Sequence, residues 1–368
     1  MTRSGAPDGS RDAGPAPVGD SRLRVGLVAP PFERVPPPGY GGTERVVHAL
    51  AVELARRGHE VTLFGTGDSE IPGRLRPTTP EPVRGTGAAG NAALPWLVMT
   101  QLAAMRDAAD LDIVHSHLDW AGLVLGDALD VPVVATFHGR LDLPGAAELL
   151  RASRCHHVAI SESQAATHPG TPWAAVVHNG LDLRDAPFLP SGERGPELCF
   201  VGRMVPEKGI LDAIEIARMA GRRLRIAAKV GTQPAEVEYH ERVVEPAMRT
   251  ADVEYLGELS GEDRDRLFAE SHATLMPGAW PEPFGLVAIE SLACGTPVLA
   301  RPAGALPEII REGVDGWLAD DPATLAARAD DVGRLDRDAI RASVVDRFSA
   351  TRMADGYLEV YRHVRTGA

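Results

Sequence analysis

At 368 residues the chain is too long for one ordinary hydrophobic core, and two domains are the expectation. With 44% hydrophobic and 24% charged residues it has the profile of a soluble globular protein, and no run of about 18 apolar residues offers a membrane span. A formal net charge of −13 argues against nonspecific nucleic-acid binding but leaves room for a local basic pocket that takes a small anion. The first 22 residues are rich in Gly, Pro, Asp and Arg, lack the apolar run of a signal peptide, and read as a disordered tail. Three scattered cysteines, Cys155, Cys199 and Cys294, lack metal-ligand spacing and fit a reducing, cytoplasmic compartment.

The first ordered segment is LRVGLVAP (Leu23 to Pro30), short, β-branched and apolar, as a buried parallel strand should be. After the loop PPPGYGGT, Val46, Val47, Leu50, Ala51 and Leu54 recur at helical spacing up to Gly58. VTLFGT (Val61 to Thr66) is the next strand, and this β–loop–α–β opening is Rossmann-like. Further strands are expected at Asp112–His117, Val131–His138, His156–Ser161 and Ala174–Gly180, with helices over Leu94–Ala109 and Pro144–Arg151. The Pro/Gly/charged stretch Phe188 to Glu197 reads as an interdomain linker. The alternation then restarts with LCFVGR, a helix ending at Gly221, and the strands LRIAAKV, VEYLG, ATLMPG and TPVLARP. The expected boundaries are a tail over 1–22, a first domain over 23–188, a second over 195–348, and an amphipathic C-terminal helix over 349–366. No GxGxxG stands where a dinucleotide site would need it.

In such a layout a ligand sits at the C-terminal strand ends, between the domains. Arg203 and Lys208 flank the turn after LCFVGR, where two cations beside a helix start suit a diphosphate, although a solvated turn reads equally well. Gly41 and Gly42 precede a helix and would let backbone approach a ligand, though glycine before a helix is common. His138 ends a strand, where it could donate to a sugar hydroxyl or serve structure. His115 and His117 alternate on a strand like a metal pair, with Asp119 near, but no further ligands complete a set. Asp110 and Asp112 form a D-x-D that precedes its strand and reads as a turn.

WPEPFGLVAIESLACG (Trp280 to Gly295) is the most informative stretch. Pro281 and Pro283 hold Glu282 out of the helix, which Gly285 and Leu286 then begin. Glu290 falls inside its apolar run, a costly place for a carboxylate without partners. Vicinal ribose hydroxyls would serve as partners, and so would a buried arginine. The helix start offers free amides from Phe284 to Leu286.

GGTERVV, RGHEVTLF, VVHNGLD, FVGRMVPEKG, PEPFGLVAIESLACGTPVLA and GALPEII followed by GVDGWL together resemble the retaining glycosyltransferases of the large GT-B family four, the glycogen-synthase and mannosyltransferase-like group. The resemblance runs from Leu23 over nearly the whole chain. It implies an α/β fold of GT-B type, with two Rossmann-like parallel-sheet domains facing a central cleft and a C-terminal helix crossing back to the first. It also implies a nucleoside-diphosphate sugar as donor, UDP first by family frequency, and no required metal or cofactor. Residue by residue, Arg203 and Lys208 would bind the diphosphate, and Glu290 would accept from the ribose. Glu282, with the amides of Phe284, Gly285 and Leu286 beside Pro283, would hold the sugar. Gly41 and Gly42 would flank the donor, and His138 would sit at the reaction centre near the sugar O6. The first-domain loops Gly67–Asn91 and Arg140–Glu148 show no cationic or aromatic cluster matching a known acceptor class, and no long basic amphipathic helix suits a membrane, which favours a soluble acceptor. A nucleotide-sugar epimerase and an inactive sugar-nucleotide binder are the competing classes.

Overall fold

The computed structural model describes residues 22–39, 41–86, 90–190 and 193–366. The reading of a tail over 1–22 therefore lies, except for Arg22, outside the described residues. Two wholly parallel sheets carry the chain. The first has seven strands in the order β3-β2-β1-β4-β5-β6-β7: β1 (Arg24–Val28), β2 (Glu60–Thr66), β3 (Arg74–Thr79), β4 (Ile113–Ser116), β5 (Val133–Thr136), β6 (His156–Ala159) and β7 (Ala175–Val176). The second has six in the order β10-β9-β8-β11-β12-β13: β8 (Leu198–Arg203), β9 (Leu224–Lys229), β10 (Val253–Gly257), β11 (Ala273–Met276), β12 (Val298–Ala300) and β13 (Gly316–Leu318). The central strands are continuous apolar runs because helices cover both faces: Val25, Leu27 and Val28 are fully buried.

Two strands are additions to the sequence reading. β3 lies inside Gly67–Asn91, which was expected to be loop. Its sequence, RLRPTT, carries two arginines and a proline, which only an edge strand tolerates. β13 is also an edge strand, three residues long, and too short to announce itself by pattern.

The C-terminal helix Ala350–Thr366 returns to the first sheet. Asp355 and the Thr351 carbonyl meet Arg57 at 2.6 and 2.9 Å, and the buried Tyr361 hydroxyl meets His115 Nδ1 at 2.7 Å. The main apolar cluster runs through both halves of the molecule, joining β1 and β2 side chains to Phe284, Ile289 and Leu292 and to Phe348 and Tyr357. This continuous apolar backing seats the two sheets against each other and leaves a polar cleft at their strand ends.

Candidate active site

Both sheets point their C-terminal strand ends into one cleft of about 430 Å³. Pro30, His138, Ile160 and Asn179 line it from the first sheet, and Arg203, Lys229, Glu258 and Gly278 from the second.

On the second sheet, β8 delivers Arg203 to the rim, where it is half exposed and 3.7 Å from Glu236. The short turn Pro206–Lys208 then leads to Gly209 and the helix Ile210–Met219. Gly209 has φ +73, and a Cβ there would lie 2.7 Å from the Gly278 nitrogen. A Cβ on Gly278 would in turn lie 2.5 Å from the Glu207 carbonyl. Two glycines thus let the turn bearing Lys208 touch the loop after β11 backbone to backbone. That contact brings Lys208 onto Glu282, with which it forms an ion pair. Glu282 is out of helix, as its flanking prolines require, and its backbone pairs with Gly304. Gly304 must be glycine: its φ is +62 and a Cβ would meet the Glu282 carbonyl at 2.2 Å.

The helix Leu286–Ala293 follows, with Gly285 at φ 111 as its N-cap. The amides of Phe284, Gly285 and Leu286 have no acceptor among the described residues and stand at the cleft. Phe284 itself is buried against His178 and Phe348, so it offers the cleft its amide rather than its ring, and the Pro283 carbonyl is taken by Ser161 Oγ at 2.7 Å. Gly42 closes the far wall: a Cβ there would meet Leu286 Cδ1 at 3.2 Å, and one on Gly41 would meet Pro37 Cγ at 2.7 Å.

Glu290 is 5% exposed and faces two arginines. Arg264, from the helix Gly261–Glu270, is 3.0 Å from Oε1, and Arg45, from the helix Gly42–Arg56 of the first sheet's side, pairs with the same oxygen. Neither guanidinium aligns for a hydrogen bond to Oε1, and no described residue donates a hydrogen bond to Oε2. Burial works against charge on Arg264, but Glu290 and Asp265 outweigh it and raise its pKa. The buried-arginine reading of Glu290 thus holds for this state of the cleft. The sequence reading missed both arginines: Arg45 stands within GGTERVV, but nothing local shows that it reaches the other domain.

On the first sheet, His138 follows β5. Its amide and that of Gly139 donate to Asp119 Oδ1 at 2.6 and 3.3 Å. Asp119 adopts φ 48, the one non-glycine residue with positive φ among the described residues, as suits a strained residue holding a site in place. His138 Nε2 lies 2.9 Å from His117 Nδ1. Burial pushes the His138 pKa down to about 4, so the ring is neutral at pH 7. A proton on His117 Nδ1 in this bond would leave His138 with its own proton on Nδ1, as a donor toward the cleft. His115 and His117 are no metal pair: His115 bonds Tyr361 and Thr136 at 2.7 and 2.8 Å, and the described residues form no cluster of metal ligands.

Glu44, unremarked in the sequence reading, is buried at the cleft wall without an ion-pair partner among the described residues, and burial raises its pKa to about 7. A second hollow at the N-terminal ends of β1 to β3 is lined by arginines, of which Arg22, Arg24 and Arg76 pair with Glu60, Asp112 and Asp107. Those pairs make it a solvated charged face, and Asp112 serves as an anchor for Arg24 rather than a metal clamp.

Two family models cover the chain: Glycosyltransferase Family 4 over residues 40–185 and Glycosyl transferases group 1 over residues 184–341. The chain is 30% identical to a glycogen synthase of Mycobacterium tuberculosis, over 76% of this chain and 79% of that protein. It is also 30% identical to a D-inositol 3-phosphate glycosyltransferase of Mycobacterium bovis, over 86% and 76% respectively. Among solved structures, AviGT4, a glycosyltransferase involved in avilamycin A biosynthesis, superposes with TM-score 0.69 at 27% identity, covering 94% of this chain and 99% of that one. HepE of Anabaena, solved with UDP-glucose, has the same fold at TM-score 0.69 and 19% identity, covering 93% of this chain and 100% of that one. Facing parallel sheets, matched family models over both, and relatives at this identity lead to one conclusion: the chain belongs to the GT-B glycosyltransferases of family four and is a hexosyltransferase.

Proposed function

We propose that the protein is a retaining glycosyltransferase that moves a hexose-type sugar from a nucleoside-diphosphate sugar, a UDP-sugar first, to the hydroxyl of a soluble small molecule or glycan. The observation that carries this reading is the convergence of Lys208, Glu282 and Glu290 around the unpartnered amides of residues 284–286 in one cleft, with Arg203 on its rim. Lys208, Arg203 and the helix start take the charge that develops on the departing diphosphate, so the reading needs no metal. Glu282 and the neighbouring amides take the sugar hydroxyls, Glu290 the ribose, and His138 donates from the first sheet.

Three cleft carboxylates are already engaged. Glu282 pairs with Lys208, Glu290 with two arginines, and Asp119 accepts two amides. Glu44, without an ion-pair partner among the described residues, is buried in the cleft wall with its pKa raised to about 7, and we read it as a wall residue rather than as the nucleophile of a double displacement. In the front-face step the acceptor oxygen bonds to the anomeric carbon as the bond from that carbon to the phosphate oxygen breaks. The leaving phosphate takes the acceptor's proton. HepE was solved with UDP-glucose, which supports a UDP donor. The two mycobacterial relatives are named for glycogen and for D-inositol 3-phosphate, both water-soluble polyols, which supports a soluble acceptor. Residues 23–188 with 349–366 form the acceptor side and 195–348 the donor side. Three free, buried cysteines fit work in the cytoplasm.

The test is incubation with UDP-, GDP- and dTDP-sugars and polyol acceptors, following nucleoside diphosphate release and the product's anomeric proton by NMR. Acceptor-dependent release with the donor's anomeric configuration kept is expected. An inverted product overturns the mechanism, and isomerised sugar without acceptor makes the protein an epimerase.

A further inference from the structure

The reading of Glu290 as the ribose contact leaves unexplained why two guanidiniums crowd a single one of its oxygens. Arg264 stands on the same side of the cleft as Glu290, but Arg45 belongs to the helix that follows β1, in the opposite half of the molecule. Arg45 is 24% exposed and Arg264 13%, and both line the cleft. A carboxylate in an apolar helix needs its charge matched. Here both guanidiniums make their closest approach to Oε1, and no described residue donates a hydrogen bond to Oε2.

Resting on that reading, we propose that Arg45 is a positioning residue of the donor site. From across the cleft it fixes Glu290 by Oε1, together with Arg264, and turns Oε2 toward the ribose hydroxyls. The ribose site is then complete only when both halves of the molecule contribute to it. Arg264 alone supplies one charge from one direction and leaves the carboxylate free to rotate about its last bond. Arg45 adds the second direction, and with it the orientation of the free oxygen. Four hydrogen bonds and one close approach hold the two halves at the spacing Arg45 needs. Ser161 Oγ donates to the Pro283 carbonyl at 2.7 Å. The amides of Glu162 and Ser163 donate to the Glu308 carboxylate at 2.9 and 2.7 Å, and His178 meets the same carboxylate at 2.9 Å. Gly42, three residues before Arg45, has room for no more than its hydrogen against Leu286 without displacing it.

The consequence is selective. Losing Arg45 should weaken the part of nucleotide affinity that depends on the ribose hydroxyls and leave the diphosphate part intact. A residue that merely supported the fold would weaken both alike, and one that plugged the empty site would, once removed, tighten both.

The experiment measures calorimetric Kd values for UDP, GDP and ADP and for their 2′,3′-dideoxy forms. The proteins are the full chain and its Arg45→Ala, Arg45→Gln and Arg45→Lys variants, and the tightest nucleotide pair is read. The unsubstituted protein should prefer the ribo form by about tenfold to a hundredfold, the worth of hydrogen bonds to a charged group. Arg45→Ala and Arg45→Gln should bring that ratio to within about threefold of one, with the dideoxy Kd little changed, and Arg45→Lys should restore part of it. Arg45→Gln, near in size, carries the test if the alanine variant does not fold. A preserved ratio in the Arg45 variants overturns this proposal and leaves the ribose reading of Glu290 standing. Tighter binding of both forms also overturns it, making Arg45 an occluding residue. No ribo preference in the unsubstituted protein overturns the ribose reading itself.

Discussion

The two signature glutamates sit eight residues apart and are held in opposite ways. Glu282 lies in a loop, is pinned by its own backbone to Gly304, and pairs with Lys208 of the same domain. Glu290 lies in a helix among fully buried neighbours such as Ala288 and Leu292, and pairs with an arginine of each domain. One half of the site is therefore finished within the second sheet's half of the molecule, while the other depends on how the two halves meet. On the proposed donor reading, diphosphate and sugar would be gripped within one half of the molecule, and the nucleoside end would depend on how the two halves meet.

Substitutions can break this contrast, beginning with the strongest. Lys208→Ala removes the only cation paired to Glu282 among the described residues and, on the proposed reading, the main charge for the leaving diphosphate. Turnover should fall about a thousandfold, some 4 kcal/mol. Diphosphate binding should weaken far more than nucleoside binding in calorimetry, and equal losses would count against its role. His138→Ala tests whether the acceptor half reaches the sugar end directly. Loss of one neutral donor should lower kcat about a hundredfold, near 2.7 kcal/mol, with donor Kd changed little; a change in Kd alone would move His138 out of the reaction centre.

Glu44 comes next. Its pKa, raised by burial to about 7, means that the folded chain holds this proton more tightly than the unfolded chain does. Its contribution is fully present below the ordinary carboxyl range and is lost as pH rises through 7, at a cost of about 2 kcal/mol. Urea unfolding at pH 5 and pH 8 should show this difference for the unsubstituted protein and a smaller one for Glu44→Gln; identical slopes would mean that Glu44 is solvated. The smallest effect belongs to Arg140→Ala. The guanidinium sits 4.7 Å from the Trp280 ring of the other half of the molecule but is half exposed and paired to Asp142, so no more than about 1 kcal/mol of donor binding should go with it.

Most of this architecture could be read in the sequence because buried parallel strands are apolar runs and helix ends carry glycine. Gly58 and Gly221 both have positive φ at the ends foreseen for them. β3 and β13 escaped because edge strands need no apolar pattern. In the site, Glu282 was placed correctly by its two prolines, a local constraint. Its pairing with Lys208 was not foreseen, because that depends on Gly209 and Gly278 allowing two distant loops to touch. Arg45 and Glu44 escaped for the same kind of reason. Whether a charged residue at a helix start faces water or the opposite domain is decided by tertiary packing, which no periodicity encodes.

The central claim, that Glu282 and Glu290 read different ends of one donor, is tested most directly by one series of Kd values. Nucleoside, nucleoside diphosphate and nucleotide sugar are titrated into the unsubstituted protein, Glu282→Gln and Glu290→Gln. Glu290→Gln should weaken all three ligands by a similar factor, roughly tenfold, whereas Glu282→Gln should weaken the nucleotide sugar alone. The same pattern of losses in both variants, or the two patterns exchanged, would contradict it.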